Sequence, residues 1–252
     1  MSDGLTIRGR GVTLRGTLGP SESGFLIKED GLQGWEALPA GRREALVRAL
    51  SHGEHDVPVK LPARVITVDG NIVANSVYEL NRMGHQIRGW GAAGDRFTIA
   101  VDLQGETLTA TVRTISREAT DSGVRGSTFY APFQVQFLAP DPRKYGETTT
   151  FTVPSGTATA VYSRGNFPAH PLIEIPSAPA AYSVTSPAGV FNVNGATAGG
   201  THRIDMRTGR VYRNGAWMPG VGRGPVWAVP QDEVWEHTLS TSGVIRMTDT
   251  FV

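Results

Sequence analysis

The sequence predicts a mainly β chain in two domains, residues 1–146 and 147–252, and three observations carry this. Apolar and polar residues alternate with a period of two along most of the chain, as side chains on opposite faces of a strand do. The 31 Gly and 16 Pro among 252 residues require many turns. Helical spacing is clear only from Val77 to Ile87 and does not recur after Thr148. The first domain is expected as a β-sandwich-like sheet carrying one capped helix, and the second as an antiparallel β-sandwich.

Leu5-Thr6-Ile7-Arg8 and Val12-Thr13-Leu14-Arg15 alternate around Gly9 to Gly11, which reads as a short hairpin. Gly24 to Ile27 reads as another strand. Arg42 to Leu50 is read as a helix, with Gly53 as its left-handed cap. From Val57 to Val68 the chain is extended, interrupted by Pro58 and Pro62, and Asp69-Gly70-Asn71 reads as a hairpin turn returning through Ile72-Val73. Ser76-Val77-Tyr78-Glu79 fits a capping box. Val77, Leu80, Met83 and Ile87 then share one helical face, and Gly89 supplies the stop. Phe97 to Leu103 and Leu108 to Ile115 form the next pair of strands, turning at Gln104-Gly105.

Phe129 to Ala139 opens as a strand with Phe133, Val135 and Phe137 on one face and Gln134 and Gln136 on the other. Pro140 and Pro142 then remove backbone donors and push their predecessors toward extended geometry, so the strand ends in a stiff joint. Beyond it, strands are read at Thr149–Val153, Ala158–Tyr162, Pro171–Ile175, Ala181–Thr185, Val190–Val193, Thr201–Asp205, Arg210–Arg213, Val226–Val229, Val234–Leu239 and Val244–Met247. Thr208-Gly209 and Asn214-Gly215 mark two successive tight reversals.

Composition excludes several classes of function. Cys is absent, which removes disulfides, thiolate chemistry and Cys-ligated metals. With 24 Lys+Arg against 23 Asp+Glu, the net charge is +1, unlike the strongly basic balance of a nucleic-acid binder. The opening Met-Ser-Asp-Gly-Leu-Thr-Ile-Arg lacks the basic and then apolar run of a secretion signal. No apolar run approaches membrane-spanning length. A soluble chain made in a reducing cytosol is expected.

Four clusters invite chemistry, and each has a plainer reading. His52-Gly53-Glu54-His55-Asp56 is dense in metal ligands, but zinc hydrolases set two His one helical turn apart. Here Gly53 and Pro58 oppose a helix, so a polar loop is favoured. Gly220-Val221-Gly222-Arg223-Gly224 lacks the Lys-Ser/Thr and following helix of a phosphate loop, and reads as a flexible hairpin loop. Trp217, Trp227 and Trp235 could stack on a sugar ring. Trp227 and Trp235 lie in alternating apolar stretches that favour burial, whereas Trp217 follows a turn and is the exposed candidate. Asp205 with His202, and Asp141 near Tyr145, lack the serine on a sharp turn that a hydrolytic triad requires. Asp205 is expected to bond the backbone of its own hairpin. No catalytic, cofactor-binding or metal-ligating residue is therefore expected, and no cofactor.

Four stretches together resemble the distal tail protein of long-tailed (siphovirus-like) bacteriophages: His52-Gly53 followed by Ala63-Arg64-Val65-Ile66; Phe137-Leu138-Ala139-Pro140-Asp141-Pro142-Arg143-Lys144-Tyr145; Gly165-Asn166-Phe167-Pro168-Ala169-His170-Pro171-Leu172-Ile173-Glu174-Ile175; and Arg203-Ile204-Asp205-Met206-Arg207-Thr208-Gly209-Arg210-Val211-Tyr212. The resemblance implies a structural virion protein forming a hexameric ring at the tail tip. An N-terminal belt domain would form the ring, with a galectin-like sandwich outside it. The ring would join the tail tube protein to the tail-tip hub or fibre protein, leaving a channel for DNA and the tape-measure protein. It implies assembly in the host cytoplasm, no specific nucleic-acid binding and no membrane insertion. Nothing after residue 146 is long enough to be an inserted carbohydrate-binding module. The alternative is a carbohydrate-binding module acting through the second domain. A glycan hydrolase would need two carboxylates facing a cleft, and the sequence offers no such pair.

Overall fold

The first hairpin forms as its alternation predicts. β1 (Thr6–Gly9) pairs antiparallel with β2 (Val12–Arg15), and Arg10 and Gly11 turn the chain at φ 46° and 75°. The computed structural model describes residues 4–37, 40–43, 46–48, 50–120, 123–125 and 128–252. The chain divides into two units, Met1–Lys144 with Val252 and Tyr145–Phe251.

In the first unit, β2 runs parallel to β3 (Gly24–Gln33). Between residues 40 and 60 lies an arm in which β4 (Leu46–Val47) pairs with β5 (Glu54–His55). The helix expected over Arg42–Leu50 is thus replaced, at Leu46–Val47, by extended chain. Residues 44, 45 and 49 lie outside the described residues. Gly53 does take a left-handed φ of 88°, but in the hairpin turn rather than as a helix cap.

β6 (Arg64–Ala74) corrects a second expectation, because Asp69-Gly70-Asn71 lies inside one continuous strand. Gly70 serves close approach here. A Cβ on it would stand 2.4 Å from the Phe133 ring and 2.5 Å from the Leu26 carbonyl oxygen.

α1 (Val77–Gly89) follows with the predicted cap: Ser76 Oγ accepts from the Glu79 amide at 3.1 Å. The Glu79 carboxylate reaches one residue further back than a capping box requires, to the Asn75 amide at 3.0 Å, and also takes the Ser23 hydroxyl. Leu80, Met83 and Ile87 are buried, whereas Val77 is exposed in the first turn. Gly89 is the last helical residue, and the left-handed reversal falls at Gly91, φ 67°.

β7 (Phe97–Leu103) and β8 (Glu106–Ala119) form the expected hairpin through Gln104-Gly105. β9 (Val124–Arg125) pairs with the start of β10 (Thr128–Ala139). β10 then pairs with β6 on one side and β8 on the other. Since β1 also pairs with β7, and β3 with β6, strands β8, β7, β1, β2, β3, β6 and β10 close into a barrel. The expected sheet therefore curls onto itself, which removes its edges. Ile7, Leu14, Ile66, Val68, Ile99, Val101, Phe133, Val135 and Phe137 are among its buried side chains.

The second unit is β throughout its described residues. Its strands are β11 (Lys144–Val153), β12 (Ala158–Tyr162), β13 (Leu172–Ile175), β14 (Tyr182–Ser186), β15 (Gly189–Val193), β16 (His202–Asp205), β17 (Arg210–Arg213), β18 (Ala216–Met218), β19 (Gly222–Arg223), β20 (Val234–Leu239) and β21 (Gly243–Phe251). One sheet runs β18-β17-β16-β13-β21-β11 and the other β12-β20-β14-β15-β19. Ile173, Ile204, Val211 and Ile245 from the first meet Val161, Val184, Phe191 and Leu239 from the second in one core, which makes a sandwich. The expected Val226–Val229 strand is reduced to a single bridge, Ala169 to Val229.

Candidate functional site

The most exposed apolar feature of the first unit is the arm. Leu46, Val47, Leu50 and Val59 all point to solvent, with Val47 78% and Leu50 fully exposed. The arm is held by backbone bonds between Arg42 and Lys60, at 2.7 and 2.9 Å, and by an Arg43–Glu54 ion pair. A lone two-stranded hairpin is marginal in water, and uncovered aliphatic side chains do nothing to stabilise it.

The base of the arm is built differently. Arg64, first residue of β6, is buried, and its guanidinium donates to four carbonyl oxygens: Gly34, Trp35 and Ala37 at 2.9, 2.7 and 2.8 Å, and Pro142 at 2.9 Å. It ties the turn where the arm departs to the segment following β10. Trp35 is buried beneath it, with the Lys144 ammonium 5.4 Å above the indole. Gly34, φ 75°, is required by space, since a Cβ there would stand 2.0 Å from the Val65 carbonyl oxygen. Burial pushes the Lys144 ammonium down, Glu36 opposes this, and the Arg64 charge adds to it.

The other clusters come apart. His52, Gly53, Glu54, His55 and Asp56 are all exposed on the arm. Among the described residues no three His, Asp or Glu side chains gather as a metal site would require. Gly222 and Arg223 form β19, so the glycine-rich run is an edge strand with its loops. Trp217 is 55% exposed with the Arg210 guanidinium 5.2 Å from its ring, Trp235 is half-buried, and Trp227 is buried. Trp227 donates from Nε1 to His237 Nε2 at 3.0 Å. Asp205 accepts from the Arg207 amide at 2.9 Å and the Thr208 hydroxyl at 3.0 Å, as expected of its hairpin. His202 is buried and bonds the Tyr182 hydroxyl and the Thr197 carbonyl, at 3.2 and 2.9 Å. Being three strand positions apart, it and Asp205 face opposite sides of the sheet. Asp141 holds Arg143, Nε to Oδ1 at 2.7 Å.

The roles of Arg64 and Lys144 were not apparent from the sequence. Their signal was faint: an arginine standing beside an apolar strand run, and a lysine just past two prolines.

No family model matches the chain, and no curated protein matches its sequence. Solved structures do match. The crystal structure of SPP1 Dit aligns with a TM-score of 0.77 at 17% identity, over 98% of this chain and 99% of that one. The chain has the Dit fold. That protein is described as a paradigm of the hub adsorption apparatus in phages infecting Gram-positive hosts. A chain of the phage P2 baseplate in its activated conformation with Ca aligns at TM-score 0.52 and 10% identity, over 98% of this chain and 97% of that one. The same baseplate with Sr gives 0.51 and 10%, over 97% of each chain. The likeness to phage tail-tip proteins read from four stretches thus holds for the fold, and a Dit fold is mainly β, as here.

Proposed function

We propose that this chain is a structural subunit of a phage tail tip, without catalytic activity. Copies of it close into a ring that joins the tail tube to the tail-tip hub or fibre proteins and leaves a channel for DNA and the tape-measure protein. The observation that carries this reading is the alignment with SPP1 Dit along nearly all of both chains. Fold alone does not assign function, and the arm supplies a physical reason specific to this sequence. Among the described residues nothing covers Leu46, Val47, Leu50 and Val59, and a heterologous contact to the next copy, repeated round a closed ring, would supply a cover. The first unit is then the ring-forming belt, and six copies complete the ring.

Native mass spectrometry and negative-stain imaging of the purified protein test this. A closed hexamer that Val47→Asp converts to monomer supports the ring, and a protein monomeric at every concentration overturns it. A second reading, glycan recognition by the second unit, rests on the exposed indole of Trp217. Glycan-array binding lost in Trp217→Ala would favour it.

A further inference from the structure

Arg64 and Lys144 place two buried cations at the base of the arm. Arg64 is 1% exposed and Lys144 3%. Among the described residues, the four hydrogen-bond partners of Arg64 are neutral carbonyls. Its remaining nitrogen, Nη2, is buried and has no hydrogen-bond partner among the described residues. The Lys144 ammonium has Glu36 Oε1 at 3.6 Å, and that side chain is 69% exposed. A charge-assisted N–H···O contact is normally closer, at about 2.7–2.9 Å. Of the carboxylates that act on Lys144, Glu36 is largely hydrated and too distant for a close charge-assisted bond, and Glu106 acts only through its charge.

Burying a charge is costly unless it is paired and its donors are used. Lys144 can shed its proton, but a guanidinium remains charged at any ordinary pH. Loss of that proton would still leave Arg64 Nη2 with two unused N–H groups. Both cations lie against Trp35: Arg64 Nη1 donates to its carbonyl oxygen at 2.7 Å, and the Lys144 ammonium stands 5.4 Å from its ring centroid.

We propose that Arg64 Nη2 and Lys144 Nζ form a binding site for one oxyanion, a phosphate or a carboxylate, with Glu36 as the intramolecular competitor it displaces. Free phosphate is one source. The other, which rests on the ring reading, is an acidic side chain of a neighbouring copy.

The probe is inorganic phosphate, titrated into the full chain against chloride at matched ionic strength. The thermal unfolding midpoint and the native mass spectrum are read together. A free-phosphate site predicts a saturable rise in the midpoint that Lys144→Met abolishes. Glu36→Gln, at an exposed side chain, tightens half-saturation about tenfold by removing a like charge. A neighbour's carboxylate predicts instead that phosphate competes, dissociating the oligomer with a midpoint that shifts in the wild type but not in Lys144→Met. If Lys144→Met does not fold, the Glu36→Gln shift decides. Phosphate acting no differently from chloride on both readouts, in wild type and Glu36→Gln alike, overturns the site, as does an effect that survives Lys144→Met. A monomer that binds phosphate sinks the ring and keeps the site, whereas a ring indifferent to phosphate does the reverse.

Discussion

Arg64 Nη1 donates to the carbonyl oxygen of Trp35 at 2.7 Å, a bond spanning 29 residues and buried at both ends. The same guanidinium takes three further carbonyls, so one side chain organises the turn at Gly34–Ala37 and the segment at Pro142. Arg64→Met leaves those acceptors without a donor and should cost about 2–4 kcal/mol in urea unfolding. An unchanged midpoint would show that water replaces the guanidinium freely.

Gly34 and Gly53 make a matched pair. Both have left-handed φ, 75° and 88°, but a Cβ at Gly34 meets the Val65 carbonyl oxygen at 2.0 Å while one at Gly53 meets open space. Gly53→Ala should cost about 1 kcal/mol, and Gly34→Ala distinctly more. Equal costs in chemical unfolding would mean that the backbone at Val65 yields.

Lys144 carries a pH signature. Its folded pKa lies below the unfolded value of 10.5, chiefly through burial. Between the two values the unfolded chain binds more protons, so stability from this group is lost as pH falls and is restored as pH rises toward 10.5. In chloride buffer, Lys144→Met should be at least as stable as wild type at pH 7, with the difference narrowing up to pH 10.5. A difference independent of pH would refute the depressed pKa.

His237 gives the acidic counterpart in the second unit. The Trp227 indole can only donate, so His237 Nε2 accepts and the ring proton sits on Nδ1, facing the Trp235 carbonyl at 3.2 Å. Burial holds this imidazole below its ordinary 6.5, with the Trp235 bond opposing. Its contribution is full above pH 6.5 and is lost as pH falls below it, because the unfolded chain protonates first. Wild type should lose unfolding midpoint from pH 6.5 downward more steeply than His237→Gln. Parallel profiles would assign acid sensitivity to other groups.

Ser76→Ala removes the side chain that accepts from the Glu79 amide. It should cost about 1 kcal/mol in thermal or urea unfolding, whereas Val77→Ala, at an exposed first-turn position, should change little.

These residues also separate what was legible in the sequence from what was not. The α1 cap, the turns at Arg10-Gly11, Gln104-Gly105 and Thr208-Gly209, and the alternation of Phe133, Val135 and Phe137 all depend on partners a few positions away, and each was readable. Gly70 misled because a glycine flanked by Asp and Asn has the same local chemistry in a turn as beneath an aromatic ring. Val77 misled because spacing identifies a helical face but not how far the neighbouring strands extend along it.

The sequence by itself determined that this chain is mainly β with one capped helix, because period and turn chemistry act over a few residues. Only the tertiary structure decided that β10 bridges β6 and β8 to close a barrel, and that Arg64 and Lys144 are buried beside Trp35. Those outcomes depend on strand register and on contacts between residues distant in the chain, 29 positions for Arg64 and Trp35 and 78 for Arg64 and Pro142, where no local pattern records which side chain will arrive.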